Sequence, residues 1–207
     1  MALPELVVDH LVLCVDSVPK AMDDIEERTG VRPCVGGQHL GLGTHNALLS
    51  LGDLYLELLA CDPLQATEAM WLGVDCATKP CLTTWCARFA APAPLERLGA
   101  VQSFSRRTTA GEELRWRLCV DGHRTGFAAL PFGGLEPFVV DWSGNEAPHP
   151  AAVAPKGCRL LELREAHPEA QELKQRLEAL RVTDIKVEQG ERRLEALLDT
   201  PKGPIWI

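Results

Sequence analysis

A two-residue period runs on either side of a Gly52-Asp53 step, with Thr44 to Leu51 before it and Leu54 to Leu59 after it. Gly-Asp between two apolar runs is a hairpin signal, so Ser50 pairs with Tyr55, Leu49 with Leu56 and Leu48 with Glu57. Side chains two apart share a face, which puts Thr44, Asn46, Leu48 and Ser50 together with Tyr55, Glu57 and Leu59. Ala47, Leu49, Leu51, Leu54, Leu56 and Leu58 make the opposite face, an apolar surface that must be covered. Asn46 and Glu57 become diagonal neighbours, roughly 7–8 Å apart at the backbone and within reach of one ligand.

The same patterning predicts a strand over Val7 to Val15, with His10, Val12 and Cys14 on one face and Leu11, Leu13 and Val15 on the other. Asp16-Ser17 then caps a helix with Pro19 in its first turn and Val18, Ala21, Met22 and Ile25 on one stripe, closed by Thr29-Gly30. The helix packs on one sheet face and leaves His10 to point to the other. The order recurs. LTTWCARF reads as a strand, a short helix runs through Leu95 and Leu98, and strands follow at Val101 to Arg107, Leu114 to Val120 and Pro137 to Trp142. It recurs again from CRLLELREA, with a helix striped by Ala170, Leu173, Leu177 and Leu180 and a Glu172–Arg176 i,i+4 pair. Strands are then placed at Asp184 to Gln189, Arg193 to Leu198 and Pro204 to Ile207.

The copies start near positions 8, 82 and 158, a spacing of roughly 75 residues, which suits one small αβ module. We therefore expect an α+β chain of βαβββ modules over residues 5–61 and 81–142, with a third module-like unit over 157–207. Modules of this size pair edge to edge into a curved sheet. The third packs outside the first pair or completes a sheet with its equivalent in a second chain, as a homodimer.

Composition narrows the function classes. The chain has 207 residues, 46 % hydrophobic and 24 % charged, enough for a sizeable core. A net charge of -8 without a Lys/Arg run argues against nucleic acid or an anionic membrane as partner and leaves small molecules. No run approaches the roughly 18 apolar residues of a membrane span, and the start lacks a signal-peptide pattern, so the expected location is cytoplasmic. Eight cysteines occur without a CxxC. Cys14, Cys61, Cys119 and Cys158 lie in apolar strand-like runs, where a free thiol acts as a small hydrophobe. The evenly spaced Cys76, Cys81 and Cys86 read as buried or loop thiols in preference to a structural metal site. The glycine-rich loop before Thr44 has no GKS/T after it, and no GxSxG supports a serine nucleophile.

With DHLVLCV, GGQHLGLGTHNALLSLG and YLELLA in view, the chain resembles the glyoxalase-like branch of the vicinal oxygen chelate superfamily. The resemblance continues through GEELRWRL, LPFGGLEPFVVDW, His149-Pro150 and KGCRLLELREAHP, and GxHxGxGTxN is its specific part. It implies a paired βαβββ fold whose cupped sheet holds a divalent metal (Zn, Fe, Ni or Mn) between modules. His10 matches the ligand on a module's first strand and Glu57 the ligand on its last. In the second module the matching positions fall near Thr84 or Trp85 and Phe138 to Asp141, and in the third near Leu160 to Glu162 and Ile205. No second His/Glu pair stands there. Asp141, His39, His45 and His149 are the residues the fold would have to bring in.

The expected pocket is lined by His10, His39, Thr44, Asn46, Tyr55 and Glu57, with Trp116 and Trp142 as core or cavity wall. The resemblance implies a lyase or isomerase working through an enolate, with Glu57 as ligand or base, His10 as ligand and His39 as acid or oxyanion donor. The alternative is a binding protein of the same fold that sequesters a small ligand without chemistry.

Overall fold

The computed structural model describes residues 4–39, 41–66, 79–107, 111, 113–119, 130–145 and 147–207. Its first five elements are β1 (Leu6–Cys14), α1 (Val18–Thr29), β2 (Cys34–His39), β3 (Thr44–Ser50) and β4 (Tyr55–Cys61). The hairpin forms in the expected register, Ser50 opposite Tyr55 and Leu48 opposite Glu57. Leu51 N–H donates to Leu54 O at 2.8 Å across the turn, and Gly52 takes φ 99°, a left-handed value open to glycine. Helix α1 ends as its sequence predicts, with Gly30 at φ 82° donating to Glu26 O. Val18, Ala21, Met22 and Ile25 bury against Ala47, Leu49, Leu56 and Leu58.

The second set is β5 (Cys81–Phe89), β6 (Val101–Arg107), β7 (Glu113–Cys119) and β8 (Phe138–Asp141). Together the two sets make an eight-stranded sheet in the order β2-β3-β4-β1-β5-β8-β7-β6. The halves mirror each other: β1 is parallel to β4, β5 is parallel to β8, and β1 and β5 meet antiparallel at the seam. The sheet curves until its edges approach, where Arg106 Nη1 on β6 donates to Gly36 O on β2 at 2.5 Å. This is the α+β arrangement of tandem βαβββ units in a curved mixed sheet.

The halves differ in what covers their convex faces. Where the first has α1, the second has only a single 3₁₀ turn, Leu95–Arg97, in place of the expected helix. Pro92 and Pro94 precede that turn and Gly99 follows it, leaving too little chain between breakers for an α-helix. Cover comes instead from the C-terminal unit. After the one-turn helix α2 (Pro150–Val153), β9 (Arg159–His167), α3 (Ala170–Ala179), β10 (Lys186–Gln189), β11 (Arg193–Asp199) and β12 (Ile205–Trp206) form a second sheet in the order β10-β9-β11-β12.

Element order in this unit repeats that of the first, but pairing does not. Strand β10 returns beside β9 and parallel to it, whereas β2 lies at the far edge from β1. Leu163, Leu173, Leu177, Leu194 and Leu198 join one core with Trp85, Leu135 and Val139, so the third unit packs outside the pair within the same chain. Arg176 does not form the expected pair with Glu172. Its guanidinium forks onto Glu136 at 2.9 and 3.1 Å and ties α3 to the segment before β8.

Cys14, Cys119 and Cys158 are buried, while Cys61, at the open end of β4, is exposed; Cys76 lies outside the described residues. Among the described residues no helix is long and apolar enough to cross a membrane.

One buried acid sits where the two sheets meet. Glu165 Oε1 accepts from Trp85 Nε1 at 2.7 Å, and Oε2 has no partner. Burial pushes its carboxyl from 4.5 up to about 8, against the lowering effects of the Trp85 bond and of Arg192. The native state therefore binds the extra proton between those values. The resulting stability is complete below the unfolded value and is lost as pH rises through 8, with a slope approaching about 1.4 kcal/mol per pH unit. Glu165→Gln is expected to flatten this decline and to exceed the wild type in stability at pH 8. Urea unfolding at several pH values checks it; parallel pH profiles would count against the assignment.

Candidate functional site

The concave face of the large sheet is polar on one side of the seam and apolar on the other. The polar side begins with an irregularity in β1. Val8 faces Ala87 and His10 faces Cys86, leaving Asp9 between them without an opposite residue. Such a bulge turns successive side chains to one side, and Asp9 joins His10 instead of pointing away with Leu11.

Asp9 is 0 % exposed, and its carboxylate is saturated. His10 Nδ1 donates to Oδ1 at 2.7 Å, while Oδ2 accepts from His149 Nε2 at 3.1 Å, Trp142 Nε1 at 3.1 Å and Arg88 Nη1 at 3.3 Å. Burial alone would raise its pKa, but the bonds from His10 and His149 outweigh that and hold it well below the usual carboxylate range. An ionised Asp9 fixes the proton of His10 on Nδ1. The lone pair of Nε2 is then free and faces the cavity. His149 is fixed in the opposite sense, because its Nδ1 accepts from Ala151 N–H at the start of α2.

A second relay fixes the other side. Gly37 N–H can only donate, so Asn46 Oδ1 is its acceptor at 2.9 Å and Asn46 Nδ2 faces the site. That amide donates to Glu57 Oε1 at 2.5 Å and lies 3.2 Å from His39 Nε2. His39 Nε2 is thereby an acceptor, and its proton sits on Nδ1, bonded to Thr44 Oγ1 at 2.9 Å. Burial holds the His39 imidazole below its ordinary pKa, with Glu57 acting in the opposite direction. In this arrangement His39 is neutral and its proton points away from the cavity. Glu57 Oε2 remains, 3.9 Å from His10 Nε2. Two proton acceptors thus face each other across the cavity floor.

His10, His39, Asn46, Tyr55, Glu57, Trp116 and Trp142 surround one cavity of about 50 Å³, and Thr44 stands behind His39. Tyr55 stacks on His10 with ring centres 4.6 Å apart. The far wall is apolar, built from Leu118 on β7, Phe138 and Val140 on β8, and Leu42, Trp116 and Trp142. Trp116 stacks on Phe104 and meets Trp142 at 6.0 Å. Asp141 is not in the cavity; it alternates to the other face and pairs with Arg117. His45 alternates away from Thr44 and Asn46 in the same manner. His149 stops one residue short of the cavity, at Asp9.

Asp9, Arg88 and Arg106 were not among the expected site residues. The bulge that turns Asp9 inward has no signature in the strand's composition. Arg106 did carry a signal, since it shares the Phe104 face of an alternating strand. Two glycines make room for this side of the site. A Cβ on Gly36 would lie 2.1 Å from Asn46 Oδ1, and one on Gly37 would lie 2.8 Å from Arg106 Nη1.

Two donor sets bear on a metal. Asp9, His10 and Cys86 bring donor atoms within 4.8 Å of one another. Asp9 and His10 Nδ1 are, however, bonded to each other, and burial pushes the Cys86 thiol far above its ordinary pKa, so two of the three donors are engaged and the third keeps its proton. The matching His10–Glu57 set has free atoms at Nε2 and Oε2, but the opposing half supplies Phe138, Val140 and Leu118, none of which can ligate. Among the described residues, the donors present do not fit a resident four-ligand centre.

Two mirrored four-stranded halves cupped around His10 and Glu57 define a vicinal oxygen chelate protein. The chain belongs to the glyoxalase-like domain family, whose model matches residues 8–181. Among solved structures it is similar to a hypothetical protein from Staphylococcus aureus, with 14 % identity, TM-score 0.60, 97 % of this chain and 84 % of that one covered. A methylmalonyl-CoA epimerase from Mycobacterium tuberculosis matches with 17 % identity and TM-score 0.42 over 68 % of this chain and 90 % of that one. One from Streptomyces coelicolor matches with 15 % identity and TM-score 0.43 over 71 % of this chain and 100 % of that one. No curated protein matches the sequence significantly. At these identities the likeness to solved structures is one of fold.

Asp9→Asn keeps the size of the side chain but turns an amide N–H₂ toward buried donors. We expect a loss of about 3 kcal/mol or more in unfolding free energy, the usual cost of breaking a buried charged network. Denaturant unfolding measures it; a variant within about 0.5 kcal/mol of wild type, the scale of an ordinary surface change, would contradict this role for Asp9.

Proposed function

We propose that this protein is an isomerase or lyase that removes a proton next to a carbonyl group of a small molecule. The observation that carries the reading is the pair of proton acceptors, His10 Nε2 and Glu57 Oε2, 3.9 Å apart at the floor of a cavity walled by apolar side chains. Two acceptors at that separation call for a donor between them, and an acidic C–H or O–H of a substrate supplies one.

In the proposed reaction His10 Nε2 takes the proton as the C–H bond breaks, the C–H pair becomes a C=C bond, and the carbonyl π pair moves onto oxygen to give an enolate. The imidazolium that forms is neutralised by Asp9, already bonded to Nδ1, so the charge needs no new solvation. Glu57 is held by Asn46 through Oε1 and presents Oε2 as the second proton carrier. Return of the proton to a different carbon or face gives isomerisation. Loss of a group from the neighbouring carbon gives the lyase outcome. No step is assigned to a metal, because the donor set does not complete a centre.

A second reading is favoured by the far wall, where Leu118, Phe138, Val140, Trp116 and Trp142 suit an apolar ligand held without chemistry. One experiment separates the two. The protein is incubated in D₂O with EDTA and a panel of aldehydes, ketones, 2-oxo acids and acyl thioesters, and α-proton exchange is followed by NMR. Exchange of at least one class, reduced about 100-fold or more in His10→Gln, is expected for a general base. A panel that binds but never exchanges would leave only the binding reading.

A further inference from the structure

The charge that the proton-transfer reading leaves unused is Arg106. Its side chain is half-buried on β6 and lines the same cavity as His10, His39, Asn46 and Glu57. Among the described residues, two other arginines that reach into buried parts of the fold do so with a carboxylate or a set of carbonyls. Arg88 meets Asp9, and Arg192 meets Leu82 O, Thr83 O and Gly133 O. Arg106 makes one hydrogen bond among the described residues, from Nη1 to Gly36 O, and no ion pair. A guanidinium has five N–H donors in a planar fork, and most of this fork is uncommitted.

Its position relative to the acceptors follows from the contacts between them. Arg106 Nη1 packs so closely on Gly37 that a Cβ there would lie 2.8 Å away, and Gly37 N–H is bonded to Asn46, which in turn is bonded to Glu57. Arg106 thus stands on the His39–Asn46 side of the cavity, while His10 stands beyond Glu57. A ligand that spans the cavity meets donors at one end and acceptors at the other.

We propose that Arg106 recognises a carboxylate on the substrate, and that the substrate class is a small 2-oxo acid with an apolar substituent. Adjacent oxygens of a 2-oxo acid match the two parallel N–H groups of a guanidinium edge. The oxygen on which enolate charge develops then already faces a fixed cation, and the acidic C–H faces His10. The apolar substituent lies against Leu118, Phe138 and Val140. This inference rests on the proton-transfer reading for its second half and on Arg106 alone for its first.

The test uses 2-oxobutyrate and 2-oxoisovalerate beside their methyl esters, with the intact chain, by calorimetric titration. Wild type is expected to bind each acid at least about tenfold more tightly than its ester, the usual size of a charge-assisted pair. Arg106→Gln abolishes that preference, and Arg106→Lys, which keeps the charge but not the fork, retains part of it. Thermal unfolding of both variants without ligand separates lost recognition from lost sheet closure at Gly36. Equal binding of acid and ester, a preference that survives in a folded Arg106→Gln, or no binding of either acid overturns the proposal. Acid binding that depends on Arg106 without α-proton exchange sustains it and removes the catalytic reading. Exchange that is as fast with esters as with acids does the reverse.

Discussion

A fully buried carboxylate, Asp9, is the constraint around which the site is assembled. Placing an ionised acid out of water costs several kcal/mol unless its oxygens are satisfied, and here four donors converge on it from β1, β5, the end of β8 and the start of α2. The network does more than offset that cost. Because Oδ1 holds the Nδ1 proton of His10, the imidazole is locked in one tautomer and one orientation. Because Oδ2 holds Trp142 and His149, the segment after β8 is anchored over the cavity. The His10 tautomer on the floor and closure of the wall thus depend on one side chain.

The sheet is symmetric in strand order and asymmetric in everything attached to it. Convex cover is α1 on one half and a separate four-stranded sheet on the other, and the second solution brings Glu165 into the interface against Trp85. The concave face shows the same division. On this face β1 and β4 carry His10 and Glu57, whereas β5 and β8 carry Cys86, Phe138 and Val140, all buried. An ancestral-looking fold symmetry therefore does not extend to the chemistry. One half supplies His10, His39, Asn46 and Glu57, and the other supplies an apolar wall with Arg106 at its far edge.

Much of this was legible in the sequence. The Gly52-Asp53 turn set the hairpin register, alternation then placed Asn46 beside Glu57, and α1 followed from its first-turn proline, stripe and closing glycine, although Ser17 makes no side-chain capping bond. These features are local, and local rules read them. What could not be read depends on pairing between distant segments. The bulge at Asp9 exists only against β5, and the meeting of Arg106 with Gly36 requires the whole sheet to curl. The C-terminal unit was expected to repeat the first because its elements come in the same order. Element order leaves open whether the strand after the helix returns beside its predecessor, as β10 does, or crosses to the far edge, as β2 does. Arg176 was assigned a partner four residues away; the better geometry was a bidentate contact with Glu136 across the core boundary.

In the proposed reaction, the division into a polar floor and an apolar wall also sets how a ligand would lie. Water expelled from Leu118, Phe138 and Val140 favours burial of an apolar group there, and that burial drains solvent from the floor at the same time. In a drier floor the attraction between a developing negative charge and Arg106 strengthens, and so does the repulsion of that charge by Glu57. Asn46 moderates the second effect. Its amide donates to Glu57 Oε1 and leaves Oε2 beside His10. A residue that itself gives up no proton in this scheme thus decides which Glu57 oxygen meets the ligand, and with it the direction from which a proton can be taken.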